Sequence, residues 1–309
     1  MGTPAISVIM PLYNKRPYVA QSINSLLSQE LTDWELVVVD DGSTDGSPEL
    51  IPADPRIQLI RQENAGPSAA RNRALQLARA PWVALLDADD TFEPGRLGAT
   101  LTGLEASGAE WGLCAHWHQS GAERRYRALR NHANQPMVGS HTATDALRQL
   151  WLRGVPSGCI TVRTELMERL GGFDASLRCY EITHLIVRLA LRRPTVWADS
   201  TPLYRVITVP NSAFSASEHR VQGATQAAHR YLALAARHPD RRQALERRAE
   251  AHLRFAAKAL LRQGKPRQAR ELLTLDYPLR RDKRWLLLRL ASQLPTEVLE
   301  AALTAAGKE

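Results

Sequence analysis

Six segments between residues 5 and 86 alternate between strand and helix periodicity, and this restricts the fold more than anything else in the chain. "AISVIMP" (5–11), "WELVVVD" (34–40), "RIQLIRQ" (56–62) and "WVALL" (82–86) read as strands, whereas "YVAQSINSLLSQ" (18–29) and "SAARNRALQLAR" (68–79) read as helices. Continuous Val, Ile and Leu runs separated by helices imply an α/β fold, with a mostly parallel sheet covered by helices on both faces. Sheets of this kind bind ligands at the carboxyl ends of their strands. Acids stand at those ends: Asp40 and Asp41 close the second strand, and Asp87, Asp89 and Asp90 follow the fourth. The spacing predicts that the two acidic clusters meet at one edge of the sheet.

Carboxylates gathered at a strand end repel one another unless something positive neutralises them. In a continued strand Asp87 and Asp89 would share a face; in a turn both could reach one ion, or one ion and a ribose. Oxygen ligands of this hardness suit Mg²⁺ or Mn²⁺, which keep positions open for phosphate oxygens. The competing reading is local: Asp89 or Asp90 could cap a helix starting near Pro94.

Charge is unevenly distributed. Residues 220–309 hold 19 Lys and Arg against 9 Asp and Glu, so the +8 of the whole chain resides in its last part. The periodicity changes at the same place from alternating to helical throughout, which puts a boundary near residue 215. The expected domains are therefore an α/β domain over 1–215 and a basic α-helical domain over 216–309. Within the latter, 256–273 has the small-residue and leucine spacing of a helical hairpin. Residues 280–294 set Arg280, Arg281, Lys283 and Arg284 beside Trp285 and a leucine run. That segment suits either an anionic membrane surface or packing of the leucines on the rest of the protein. Nucleic acid is not expected as a partner, because the basic residues are not interleaved with aromatics for base stacking.

At 309 residues and 44% apolar, the chain can bury a sizeable core. No apolar run approaches the roughly 20 residues of a membrane-spanning helix, and no basic region precedes the first apolar segment, so a cytoplasmic location is expected. Cys114, Cys159 and Cys179 form no close pair in sequence and are expected as free thiols. In "GLCAHWHQ", Cys114, His116 and His118 alternate and would share one strand face. Three adjacent ligands on one strand rarely close a tetrahedral metal site, so residues facing an acceptor cleft are the preferred reading.

The segments "SVIMPLYNKRPYVAQSINSLLSQ", "WELVVVDDGSTDGS", "NAGPSAARNRAL", "WVALLDADD" and "LGGFD" occur in the order and spacing of the family 2 glycosyltransferases of the GT-A fold. The resemblance covers roughly residues 5–208. It implies an inverting enzyme that moves a sugar from a nucleotide-diphosphate sugar to an acceptor hydroxyl. On the donor side it assigns Pro11 and Tyr13 to the base and ribose pocket, and Asp41, with Asp40 beside it, to the base. It brings Arg71 toward the nucleotide, makes Asp87 the ribose-side acid, and makes Asp89 the ligand of Mn²⁺ or Mg²⁺. Together with the basic tail, it also suggests a glycan or lipid-linked acceptor at the inner face of a bacterial membrane, in surface polysaccharide or lipopolysaccharide synthesis.

The acceptor half departs from that pattern. The family commonly shows Glu-Asp about seven residues after "LGGFD", the Asp being the general base. Here Glu181 matches the first acid, Ile182 stands in the place of the base, and His184 sits where another acid often follows. Ile207 likewise replaces the histidine of a Tyr-Arg-x-His segment. Two readings follow: an active transferase whose base is Glu181, Asp174 or His184, or a nucleotide-sugar-binding or scaffold protein on a degenerate transferase fold.

Overall fold

Strands β1 (Ile6–Leu12) and β2 (Trp34–Asp40) are buried over nearly their whole length, as strands flanked on both sides and covered on both faces must be. They pair in parallel, Ile6 against Trp34 through Leu12 against Asp40. β3 (Ile57–Arg61) joins β2 in parallel and β4 (Trp82–Leu85) joins β1 in parallel. The computed structural model describes residues 2–131, 133–142, 154–193, 195–209, 217–274 and 288–293.

Among the described residues ten strands form one sheet, ordered β3-β2-β1-β4-β9-β6-β10-β5. The further members are β5 (Thr91–Phe92), β6 (Trp111–Ser120), β7 (Glu123–Arg127), β8 (Val138–Thr142), β9 (Ile160–Arg163) and β10 (Thr195–Ile207). β6 and β10 are parallel, while β9 runs antiparallel between β4 and β6. β7 and β8 lie off the main path on β6 and β10. The β10 pairing is irregular between Asp199 and Tyr204, which is where the strand accommodates Pro202.

Helix α1 (Val19–Leu27) buries Val19, Ser22, Ile23 and Leu26, a single face at helical spacing. α2 (Pro67–Leu77) opens with Pro67 behind Gly66, whose φ of +92° explains the glycine. α2 packs on β1 and β2, and α3 (Arg96–Ser107) packs on β6 and β10. α4 (Thr164–Arg169) and α5 (Glu181–Arg192) follow β9. The chain divides into two compact units, Met1–Ser176 with Glu181–Pro210, and Leu177–Tyr180 with Asn211–Glu309.

The second unit is helical where described: α6 (Ser217–Arg237), α7 (Arg242–Arg262) and α8 (Pro266–Thr274). Tyr231 of α6 and Leu245, Leu253 and Leu260 of α7 are buried. The hairpin expected over 256–273 is present. Gly264 (φ +69°) ends α7, with its N–H on the Leu261 carbonyl and that of Lys265 on the Leu260 carbonyl, and Pro266 starts α8. No described helix is long and apolar enough to cross a membrane. Residues 280–287 of the basic segment lie outside the described residues.

Candidate active site

The acids expected at strand ends stand there, each cluster with its own partners. β1 separates β2 from β4, so the two clusters lie two strand spacings apart, about 10 Å, at the same end of the parallel strands. Asp40 is fully buried, accepts the Ser43 N–H and pairs with Arg61 at 3.1 Å. Asp41 accepts from the Gln62 side chain (2.8 Å) and the N–H groups of Ala65 (2.9 Å) and Gly66 (2.8 Å). That carboxylate fixes the loop running into α2. Nearby, Asn14 and Lys15 in the loop after β1 donate their backbone N–H groups to the hydroxyls of Ser43 and Ser47. Tyr13 is 47% exposed and Pro11 is half-buried.

Arg71 is the hub of the second cluster. On α2 it would be an ordinary surface cation, but it is only 4% exposed. Its guanidinium donates to Asp87 at 2.7 Å and to Glu181 at 2.9 Å. Burial works against its charge, yet the two carboxylates outweigh burial and hold Arg71 protonated more firmly than a free arginine. A solvated helix-face cation, the ordinary fate of an arginine on such a helix, is therefore not what Arg71 is. The Ser157 hydroxyl donates to the other oxygen of Asp87, and Lys15 forms an ion pair with Asp89.

Asp90 has partners of its own. It is buried, accepting from the Tyr204 hydroxyl (2.7 Å) and the Ile207 N–H (2.9 Å). The capping reading of Asp89 and Asp90 is corrected accordingly: α3 begins at Arg96 behind Gly95, with no side-chain cap. The Tyr204 ring lies so close to Gly158 that a Cβ there would overlap it. Burial raises the Asp89 carboxyl above the usual range; Lys15 pulls it back and Asp87 raises it again. Burial, then Asp87 and Asp89, push Asp90 well above that range.

The Asp90 shift makes a testable statement about stability. A carboxyl with a raised folded-state pKa binds protons more tightly folded than unfolded, so its ionised form opposes folding as pH rises through the raised value. Asp90→Asn keeps an oxygen for the Ile207 N–H and an amide for Tyr204. It should raise stability at pH 7 on the order of 1 kcal/mol. The gain should shrink as pH falls and vanish near the unfolded Asp value of about 4. Thermal melts of both proteins from pH 4 to 8 check this; a gain independent of pH would refute it.

On the acceptor side, Glu181 begins α5 and is 9% exposed, with Oε1 on Arg71. Ile182 is half-buried and His184 is buried one turn farther along. Asp174 accepts from the backbone N–H (3.0 Å) and hydroxyl (2.6 Å) of Ser176 in a local turn. "LGGFD" is tied to α2, since the Asn72 side chain exchanges hydrogen bonds with the backbone of Phe173. Cys114 is buried and hydrogen-bonded to Cys159; none of Cys114, Cys159 and Cys179 forms a disulfide. Among the described residues no group of three or more His, Cys, Asp or Glu is arranged to hold a metal.

Three side chains of this site escaped the sequence reading. Lys15 sits in the loop after β1, where a cation opposite five strand-end acids could have been sought. Ser157 carried no signal, being brought in from 70 residues away, and Tyr204, the tyrosine of the Tyr-Arg-x-His segment, gave no sign that it meets Asp90 over 114 residues.

The model of "Glycosyl transferase family 2" matches residues 7–171. The succinoglycan biosynthesis protein ExoO of Rhizobium meliloti (strain 1021) is 41% identical over 110 residues, 35% of this chain and 32% of its own. The putative teichuronic acid biosynthesis glycosyltransferase TuaG of Bacillus subtilis (strain 168) is 40% identical over 103 residues, 32% of this chain and 41% of its own. The matched part thus spans about a third to two fifths of these curated relatives. Among solved structures, S. aureus TarS 1–349 in complex with UDP-GlcNAc has a TM-score of 0.60 at 19% identity, covering 97% of this chain and 88% of that one. The mannosyltransferase PcManGT from Pyrobaculum calidifontis, in complex with GDP-Man and Mn²⁺, has a TM-score of 0.57 at 22% identity, covering 100% and 87%. At these identities the two structures share the fold.

Proposed function

The chain belongs to glycosyl transferase family 2, and from that premise we propose that it transfers a sugar from a nucleotide-diphosphate sugar to an acceptor hydroxyl with inversion, in the synthesis of a bacterial surface polysaccharide or lipopolysaccharide. The observation that carries the reading is the buried bridge from Asp87 through Arg71 to Glu181, which binds the strand-end acids to the start of α5. The neighbours' bound UDP-GlcNAc and GDP-Man support a nucleotide-sugar donor. Two relatives named for succinoglycan and teichuronic acid biosynthesis support a glycan or lipid-linked acceptor. We place the enzyme in the cytoplasm, with the basic helices meeting the inner face of the membrane.

Pro11, Tyr13, Asp40 and Asp41 belong in this reading to the base and ribose pocket. Asp40 and Asp41 act there chiefly by holding the 43–47 turn and the 62–66 loop in place. The strand-end donor set fits a divalent cation: Asp87 and Asp89 are hard oxygen ligands, partly exposed, and among the described residues Lys15 is the cation paired with Asp89. Asp89, with Asp87 beside it, would hold Mn²⁺ or Mg²⁺, which supplies charge neutralisation for the departing nucleotide diphosphate. Lys15 adds a second positive charge at that end. Arg71, by holding Asp87 and Glu181 together, sets the distance between donor and acceptor groups. One guanidinium serves two carboxylates, so the bridge keeps a net negative charge. Glu181 Oε1 is engaged, which leaves Oε2 to take the acceptor's proton.

If Asp89 is the ligand, Asp89→Ala abolishes the part of nucleotide-diphosphate affinity that depends on Mn²⁺, while the melting temperature stays near that of the unmodified protein. Calorimetric titration of UDP and GDP with and without Mn²⁺ measures it. Equal affinity under both conditions in the unmodified protein would exclude metal assistance. A thermal-shift screen of nucleotide sugars, followed by assay of donor hydrolysis, tests the reaction itself.

Ile182 favours a second reading, a nucleotide-sugar sensor or scaffold, because it cannot accept a proton where the family's base stands. Donor binding without hydrolysis or transfer to any acceptor would identify that alternative.

A further inference from the structure

The hairpin of β6 and β7 and the residues just after it carry four arginines, Arg124, Arg125, Arg127 and Arg130, against one acid, Glu123, within a first part of the chain that is otherwise slightly acidic. Glu123 is spent on Arg125 at 2.8 Å. Among the described residues no carboxylate pairs with Arg127.

Register decides which of these charges face the site. Directly opposed residues of neighbouring strands share a face. His116 lies opposite Arg127 and His118 opposite Arg125 across the β6–β7 ladder. On the other side, Tyr204 of β10 is the partner of His116, and Val206 that of His118. One face therefore runs from Tyr204, whose hydroxyl holds Asp90, through His116 to Arg127, a distance of about 10 Å over two strand spacings. The opposite face holds Trp117 against Tyr126, ring centroids 5.6 Å apart, which stiffens the hairpin. Along β6 the strip emerges from the core, with Cys114 buried, His116 and His118 half-buried, and Arg125 exposed on β7. Burial above all, then His118 and Arg127, push the His116 imidazole down to about 4, so it is neutral near pH 7.

We propose that this strip is the acceptor's anion subsite: a phosphate or carboxylate carried by the acceptor glycan binds against Arg127, Arg125, His116 and His118, beside the strand-end acids. The acceptor is thereby an anionic glycan, because a neutral one would leave Arg127, which among the described residues has no carboxylate partner, without a counter-charge. Arginine forks suit both groups. The inference rests on the transferase reading for the word acceptor, but the anion subsite is measurable without it.

The test uses the full chain labelled at histidine Cε1, with His116 assigned through His116→Gln. Its titration is followed by NMR with tripolyphosphate, with an oligogalacturonate, and with a neutral cello-oligosaccharide. His116 faces His118 on its own strand, Arg127 and Arg125 on β7, and Tyr204 on β10. An anion bound among them raises its midpoint. The expected result is an upward shift with at least one anion and none with the neutral sugar. Affinity for that anion should fall at least tenfold in Arg125→Ser/Arg127→Ser, with UDP or GDP binding unchanged. A stronger response to tripolyphosphate marks a phosphate-bearing acceptor, and one to oligogalacturonate a uronate-bearing acceptor. No shift with either anion, or undiminished affinity in the double variant, overturns the proposal. Loss of nucleotide binding with the strip still responding would remove the transferase reading and leave the subsite.

Discussion

Replacing Arg71 by methionine is expected to destabilise the first unit by about 3–5 kcal/mol, because it leaves Asp87 and Glu181 as uncompensated charges in a largely buried place. For a unit of this size that corresponds to a fall in melting temperature on the order of 10 °C. Turnover should disappear with it, since the groups on β4 and α5 lose their common anchor. The diagnostic comparison is Arg71→Met/Asp87→Asn/Glu181→Gln. With the buried charges removed together, most of the stability returns, because replacing a complete ionic cluster by neutral groups of similar volume costs little. Activity does not return. Calorimetric melts of the single and triple variants decide the matter: a loss below about 1 kcal/mol in the single variant would mean that solvent screens the pair more than its burial indicates.

Glu181→Gln has the second largest expected effect. Glutamine keeps an oxygen for the Arg71 guanidinium, so the bridge survives and only the ability to accept a proton is lost. Removal of a positioned base typically costs a factor of about 10² to 10⁴, and turnover at saturating donor should fall at least about tenfold with donor affinity little changed. Ile182→Asp should not abolish activity: residues 181 and 182 point about 100° apart on α5, so the new carboxylate adds a base without displacing Glu181. An unchanged rate in Glu181→Gln would transfer the role to His184, buried one turn along, or to Asp174. No turnover in any variant, with donor binding retained, would support the sensor reading.

What could be read in the sequence and what could not divides along sequence separation. β2 spans the residues expected for it, and β1, β3, β4, α1 and α2 fall within two residues of their expected ends, because apolar periodicity is a local signal. The strand-end placement of Asp40, Asp41, Asp87 and Asp89 followed from the same signal. The partners did not. Lys15 reaches Asp89 over 74 residues and Arg71 reaches Glu181 over 110, and no periodicity encodes such a meeting. Arg71 stands in a helix of mixed polarity, where sequence alone suggests a solvated cation, yet the fold closes over it. Asp90, adjacent in sequence to Asp89, was read with it as one feature. The structure separates them by a turn, giving Asp89 to Lys15 and Asp90 to Tyr204. β9 is four residues long and runs against β4, too short and too polar at its end to announce itself.

The hold on Asp90 has an evolutionary corollary. At position 207 the chain presents not a side chain but its main-chain N–H. That donor is common to every residue type except proline, so the position is free to drift through chemically unrelated side chains while the carboxylate it serves stays in place. An isoleucine where the Tyr-Arg-x-His segment that this stretch resembles would place a histidine is then a permitted replacement as far as Asp90 is concerned, and selection at this site is released to act on whatever the side chain itself meets. The expected signature across descendants is wide variation at 207 with proline excluded, beside a Tyr204 that cannot vary without giving up its hydroxyl.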